Sequence, residues 1–152
     1  MAPVVFRRRE FRADSGGAGR HRGGLGQVIE LTGAGGVPIS LLCNFERIRN
    51  PARGRDGGGA GQPGRVTLVS GRPIRSKGRQ TVPPRDAIRL ELPGGGGFGD
   101  PRERAAETVA ADVADGLVSR ETAERDYGVV LAADGGVDAA ETAQRRAGRR
   151  SP

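Results

Sequence analysis

The side chains able to do chemistry sit in two glycine-rich stretches and in little else. The first runs Asp14-Ser15-Gly16-Gly17 and continues to the only histidine, His21, between Arg20 and Arg22. Aspartate, serine and histidine can form a nucleophilic triad, but only if the imidazole reaches the serine hydroxyl and a buried carboxylate orients it. Proteases with an Asp-Ser-Gly-Gly nucleophile segment carry that base far upstream, whereas His21 follows Ser15 by six residues, so the spacing argues against a protease. With no second histidine to share a metal, a surface or loop role is the plainer reading of His21. Arg22-Gly23-Gly24 is a single Arg-Gly-Gly triplet, and RNA-binding segments repeat that unit beside aromatics that stack on bases.

The second stretch is Pro93 to Pro101, in which Gly94, Gly96 and Gly99 satisfy G-x-G-x-x-G between an expected strand and an expected helix. Backbone amides in that context can cradle a pyrophosphate. Against this, Asp100 brings a negative charge to the same place, and no second strand with a ribose-binding acid follows at the required distance. A tight loop with close backbone packing is the favoured reading. No G-x-x-x-x-G-K-[ST] loop occurs, so ATP has no recognisable site. Asp14, Ser15 and Arg22 in the first stretch, with Gly97 and Asp100 in the second, are the candidates for contact with a substrate or partner. Asp and Ser exchange hydrogen bonds and Arg clamps carboxylates. Closing a local turn is the competing role for Asp14 and Ser15. The two loops are expected to lie close together.

These loops need elements to hold them. The clearest strand spans residues 37–45, where Val37, Ile39, Leu41, Cys43 and Phe45 share one face. Cys43 on that face reads as a small buried hydrophobe rather than a nucleophile. Strands are also expected at 3–12, 27–32, 65–69 and 87–92. After Pro93 the apolar period lengthens to that of a helix. Asp100 and Pro101 mark a start, and Ala105, Val109 and Val113 form a stripe with Ala106 and Ala110. Ser119 caps a second helix ending at Gly128, a short strand spans 128–132, and Asp138 with Glu141 opens a last helix stopping near Gly148. Residues 149–152 are expected to fray. The fold class is therefore α+β: a glycine-rich antiparallel or mixed β region over 1–99, then mostly short helices over 100–148, in a single domain or fragment.

Composition limits what such a chain can do. Its 152 residues include 27 glycines but only four Phe, one Tyr and no Trp, so the core is thin and the backbone entropy cost is high. The net charge of +7 is uneven, with 17 basic and 7 acidic residues over 1–92 against 8 and 11 over 93–152. A basic half suits an acidic partner, an anionic substrate or nucleic acid. The arginines lack interleaved aromatics, which makes a nucleic-acid-binding module the less favoured reading. One cysteine excludes an internal disulfide and a cysteine zinc cage and fits a cytoplasmic location. No membrane span is expected, and no metal site is assigned.

Taken in order, three stretches resemble one family. Glu10-Phe11-Arg12-Ala13-Asp14-Ser15-Gly16-Gly17-Ala18-Gly19-Arg20-His21-Arg22-Gly23-Gly24-Leu25-Gly26 is similar to the strand-loop signature of the hydantoinase B/oxoprolinase large subunits, the group of 5-oxoprolinase, N-methylhydantoinase and acetone carboxylase. Pro93 to Pro101 resembles their later glycine-rich loop. Ala110 to Ser119, followed by Tyr127-Gly128-Val129-Val130, resembles their C-terminal helical end. Arg85 stands where the resemblance leads one to expect glycine.

The resemblance implies a C-terminal module of a cytoplasmic, ATP-dependent hydrolase that opens 5-oxoproline or hydantoin rings. It implies ATP and a divalent metal for the complete assembly, none of them held by this chain. It also implies two partners, the remainder of the B subunit and a hydantoinase A-type ATP-binding subunit. Activity of the chain alone is not expected. A non-catalytic structural or interaction subunit is the alternative.

Overall fold

The computed structural model describes residues 3–148. Six strands precede three helices: β1 (Val4–Phe11), β2 (Gln27–Gly33), β3 (Ile39–Asn44), β4 (Arg65–Leu68), β5 (Lys77–Val82) and β6 (Ile88–Glu91), then α1 (Ala106–Ala114), α2 (Arg120–Tyr127) and α3 (Ala139–Ala147). One antiparallel sheet has the order β1-β2-β6-β4, and β3 pairs with β5 in a second. The fold is α+β, strands first and helices after.

The two sheets meet over a small core. Leu68, Val82 and Ile88 are buried, with Leu31, Ile39, Leu41, Val66, Ile74 and Leu90 packed on them. Cys43 is buried on the inner face of β3, and burial pushes its thiol pKa up, which leaves it a poor nucleophile. A second cluster belongs to the helices, where Tyr127, Val109, Val118, Ala123 and Val129 exclude water.

The helix signals act as expected at two of three starts. The Ser119 hydroxyl accepts from the Thr122 amide and the Asp138 carboxylate from the Glu141 amide, at 3.1 and 3.0 Å. Gly128 closes α2 in the left-handed region with φ 63°. Asp100 is the correction. It caps a single 3-10 turn, Pro101–Glu103, after which Arg104 and Ala105 are extended and α1 starts only at Ala106. The extended Arg104 carries its guanidinium to the α1 carboxylate of Asp112. In a continuous helix Arg104 would lie about 12 Å along the axis from Asp112, so the break before Ala106 is what lets this ion pair form.

Two further differences concern strands. β5, Lys-Gly-Arg-Gln-Thr-Val, has no apolar alternation of its own and exists because β3 offers it a paired edge. The expected strand at 128–132 reduces to one bridge between Leu131 and Val137, since Val129 and Val130 serve the helical cluster and the α3 cap. The fraying expected of 149–152 lies outside the described residues.

At Pro83-Pro84-Arg85-Asp86 the Asp86 amide donates to the Pro83 carbonyl at 3.2 Å, and Arg85 has φ 62°. Proline second and a left-handed residue third is the type II pattern that favours glycine. Arg85→Gly is expected to raise stability by roughly 0.5 kcal/mol, the relief of left-handed strain less the glycine entropy cost. A lower urea midpoint would contradict this. Next to it, donation from the Ser70 hydroxyl, then from the Ala87 and Ser70 amides, holds the Asp86 carboxyl below its ordinary range. The stabilisation is therefore present at neutral pH and lost as pH falls through the depressed pKa. Ser70→Ala is expected to flatten the acid limb of a stability-against-pH curve.

Candidate functional site

Antiparallel pairing sets Phe11 opposite Gln27, Val28 opposite Glu91 and Glu91 opposite Arg65. The loops 12–26 and 92–100 and the end of loop 45–64 therefore meet at one end of the four-stranded sheet. They are joined by backbone bonds. Gly17 donates to Gly95, Gly95 to Gly24, Gly97 to Gly59 and Gly59 to Ala18, each at 2.7–2.9 Å. His21 and Phe98 exchange two such bonds. Arg12 ties the roots, its Nη1 donating to the Pro63 carbonyl at 2.8 Å and to that of Leu92 at 3.4 Å. The expected meeting of the first and second loops is observed.

Each candidate residue has a distinct place in this bundle. Ser15 is buried; its hydroxyl donates to the Arg12 carbonyl at 2.5 Å and accepts from the Gly26 amide at 2.8 Å. Closing the loop uses both capacities of that hydroxyl, so Ser15 is not placed to touch a ligand. Arg22 makes two 3.2 Å bonds to the two oxygens of Asp112, and Arg104 adds a third at 2.9 Å. Its guanidinium is spent within the fold. Gly97 is buried, and a Cβ there would lie 2.0 Å from the Ala18 carbonyl oxygen, so its role is close packing.

Asp14 and Asp100 differ from these three. Both line a cleft of about 550 Å³ where the loops meet α2, together with Gln62, Arg102, Arg125 and Asp126. Asp14 has φ 58°, and one of its carboxylate oxygens accepts from the Ser119 amide at 2.8 Å, so it also anchors the start of α2. Asp100 is exposed and accepts from the Arg102 amide at 2.9 Å. The Arg125 guanidinium makes a two-bond pair with Asp126 at 2.8 and 2.9 Å. Carboxylates, guanidinium groups and an amide side chain around one opening can hold a small polar molecule by its N–H and carbonyl groups.

Sequence reasoning missed Asp112 and Arg104. An acid at the position between Val109 and Val113 falls on the apolar stripe of α1, and a charged residue there needs a partner. His21 is exposed and lies outside the cleft. The glycine loop does not suit a nucleotide. The amides of Gly94, Gly95 and Gly97 already donate to Gln62, Gly24 and Gly59, so they cannot cradle phosphate without breaking the bundle. Among the described residues no three His, Cys, Asp or Glu side chains gather to hold a metal ion, and no helix is long and apolar enough to cross a membrane.

The profile of the family described as hydantoinase B/oxoprolinase matches residues 1–101, well over half of the chain. The chain belongs to the hydantoinase B/oxoprolinase family. It is 35% identical over 160 residues to caprolactamase subunit beta of Pseudomonas jessenii, covering 95% of this chain and 26% of that one. The crystal structure of the ATP-dependent caprolactamase from that organism superposes with a TM-score of 0.79 at 34% identity. Nucleotide-free acetone carboxylase gives 0.69 at 27% identity, over 97% of this chain and 25% of the other. 5-Oxoprolinase 1 of Arabidopsis thaliana is 38% identical over 101 residues, or 64% of this chain and 8% of its own. This hydantoinase B chain thus spans about a quarter of caprolactamase subunit beta.

Proposed function

We propose that this chain is a module of an ATP-dependent cyclic-amide hydrolase, completed by the remaining three quarters of a hydantoinase B subunit and by a hydantoinase A-type subunit that binds ATP. The observation that carries this is the match of 95% of the chain to only 26% of caprolactamase subunit beta. Opening an unstrained amide needs an activated nucleophile, a polarised carbonyl and coupling to nucleotide hydrolysis. The Asp14–Asp100 cleft supplies hydrogen-bonding groups for a lactam N–H and carbonyl, and the other parts are assigned to the partners. 5-Oxoproline and hydantoins are the proposed substrates, the divalent metal is assigned to the complete assembly, and the proposed location is the cytoplasm.

The chain alone is expected to hydrolyse neither ATP nor 5-oxoproline, hydantoin or caprolactam. Coupled ATPase and ring-opening assays at high protein concentration test this, and turnover by material free of partner would overturn it. A second reading, a buttress that offers no group to the substrate, is favoured by the internal use of Ser15, Arg22 and Gly97. Asp100→Asn separates the two in a caprolactamase beta whose matching quarter is replaced by this chain. It keeps the cap acceptor but removes the charge. Lower ring opening with unchanged assembly supports a contributing cleft, and unchanged activity supports the buttress.

A further inference from the structure

The four-stranded sheet is covered on one face only in part. Paired residues share a face, so Phe6, Leu31, Ile88 and Leu68 form one row across β1, β2, β6 and β4. Ile88 is 1% and Leu68 5% exposed beneath the β3–β5 sheet, while Phe6 at the end of the same row is 60% exposed. The next row runs Arg9, Ile29, Leu90, Val66, and beyond it Phe11, opposite Gln27, is 63% exposed. The apolar face therefore continues onto β1 after its cover has stopped. Among the described residues β1 pairs with β2 alone, which leaves its outer edge of N–H and C=O groups open along eight residues. An open edge flanked by exposed aromatics is a template for another strand.

Charge decides which strand. β1 carries Arg7, Arg8 and Arg9 in succession, with a register shift between Phe6 and Arg8; Arg8 is ion-paired to Glu10 and stands opposite Glu30, while among the described residues Arg7 and Arg9 have no ion-pair partner. If two copies paired antiparallel through this edge in the registers of longest overlap, Arg7 would face Arg8, or Arg8 its own copy, and like charges directly opposite are destabilising. An incoming strand with apolar residues near Phe6 and Phe11 and acidic residues near Arg7 and Arg9 meets both demands. Building on the reading that the rest of a hydantoinase B subunit completes this chain, we propose that β1 takes an acidic, extended segment of that missing polypeptide as a fifth strand of the sheet. The segment extends the sheet past β1 and covers Phe6 and Phe11.

The test co-expresses the full chain with P. jessenii caprolactamase subunit beta lacking its matching quarter, and follows amide hydrogen exchange along β1. A complex in which β1 amides exchange at least tenfold more slowly than in the free chain is expected. Phe6→Asp with Phe11→Asp should weaken that complex at least tenfold and leave the thermal midpoint of the free chain unchanged, because both rings are exposed there. A complex with unaltered β1 exchange, or one indifferent to the two substitutions, overturns the proposal and leaves the completing-subunit reading standing. Failure to form any complex overturns both. Concentration-dependent dimerisation of the free chain that protects β1 overturns it as well, by assigning the edge to a second copy.

Discussion

Gly97→Ala is expected to cost the chain at least about 3 kcal/mol, or a fall of roughly 10 °C in melting temperature for a protein of this size. The added methyl would lie 2.0 Å from the Ala18 carbonyl oxygen and 2.6 Å from the Ala18 carbon and the Gly17 oxygen, all backbone atoms. Gly97 does not have positive φ, so alanine is acceptable to its backbone and only space forbids it. Relief requires separating loop 92–100 from loop 12–26, which breaks the bonds from Gly17 to Gly95 and from Gly95 to Gly24. Gly24→Ala is the matched control, because a Cβ there meets nothing within 4 Å. It is expected to leave stability unchanged or raise it by up to about 1 kcal/mol through the unfolded chain. Thermal unfolding followed by circular dichroism compares the two. Equal midpoints would mean that the glycine bundle is not close-packed.

Asp112→Asn is expected to cost about 3–5 kcal/mol, the range for stripping a buried ion pair of one partner. The side chains of Asp112, Arg22 and Arg104 are 11%, 16% and 15% exposed, so solvent screens them little. The loss is larger than for Arg22→Met, since one substitution strands two cations and the other leaves Asp112 its Arg104 partner. Among the described residues the buried Arg104 Nε has no hydrogen-bond partner, which leaves Arg104 poorly placed to tolerate losing the carboxylate. Urea denaturation of both single variants and the double variant measures the coupling between Arg22 and Asp112. A cost below about 1 kcal/mol for Asp112→Asn would show that the Ala106–Ala114 helix is held to the loops by its apolar contacts alone.

The two predictions concern residues of opposite legibility. Gly97 was marked by its own sequence neighbourhood, because four consecutive glycines between a strand and a proline demand a reason. The close backbone packing favoured from the sequence is what the structure shows, and phosphate binding at a helix start fails on two facts remote from it. The amides are taken by loops 12–26 and 45–64, and the following segment is a 3-10 turn. The apolar stripe read from Val109 and Val113 took no account of Asp112, and nothing near it in sequence names Arg22, ninety positions away. Ser15 shows the same limit: its type and its neighbours suit chemistry, yet the Gly26 amide occupies it.

What the sequence by itself determined is therefore what depends on near neighbours. Alternation in 39–44 and 88–91, the caps at Ser119 and Asp138, the left-handed close at Gly128 and the burial of Cys43 follow from side-chain pattern and local backbone preference. The family also followed, since its motifs are short and ordered along the chain. Only the tertiary structure decided that Lys77–Val82 is a strand, that Arg22 faces Asp112 instead of solvent, and that Asp14 and Asp100 line one cleft while Ser15 and Gly97 beside them are buried. These outcomes depend on which segments meet across long sequence separations, and the meeting is set by strand register and by carbonyl positions that only glycine can approach.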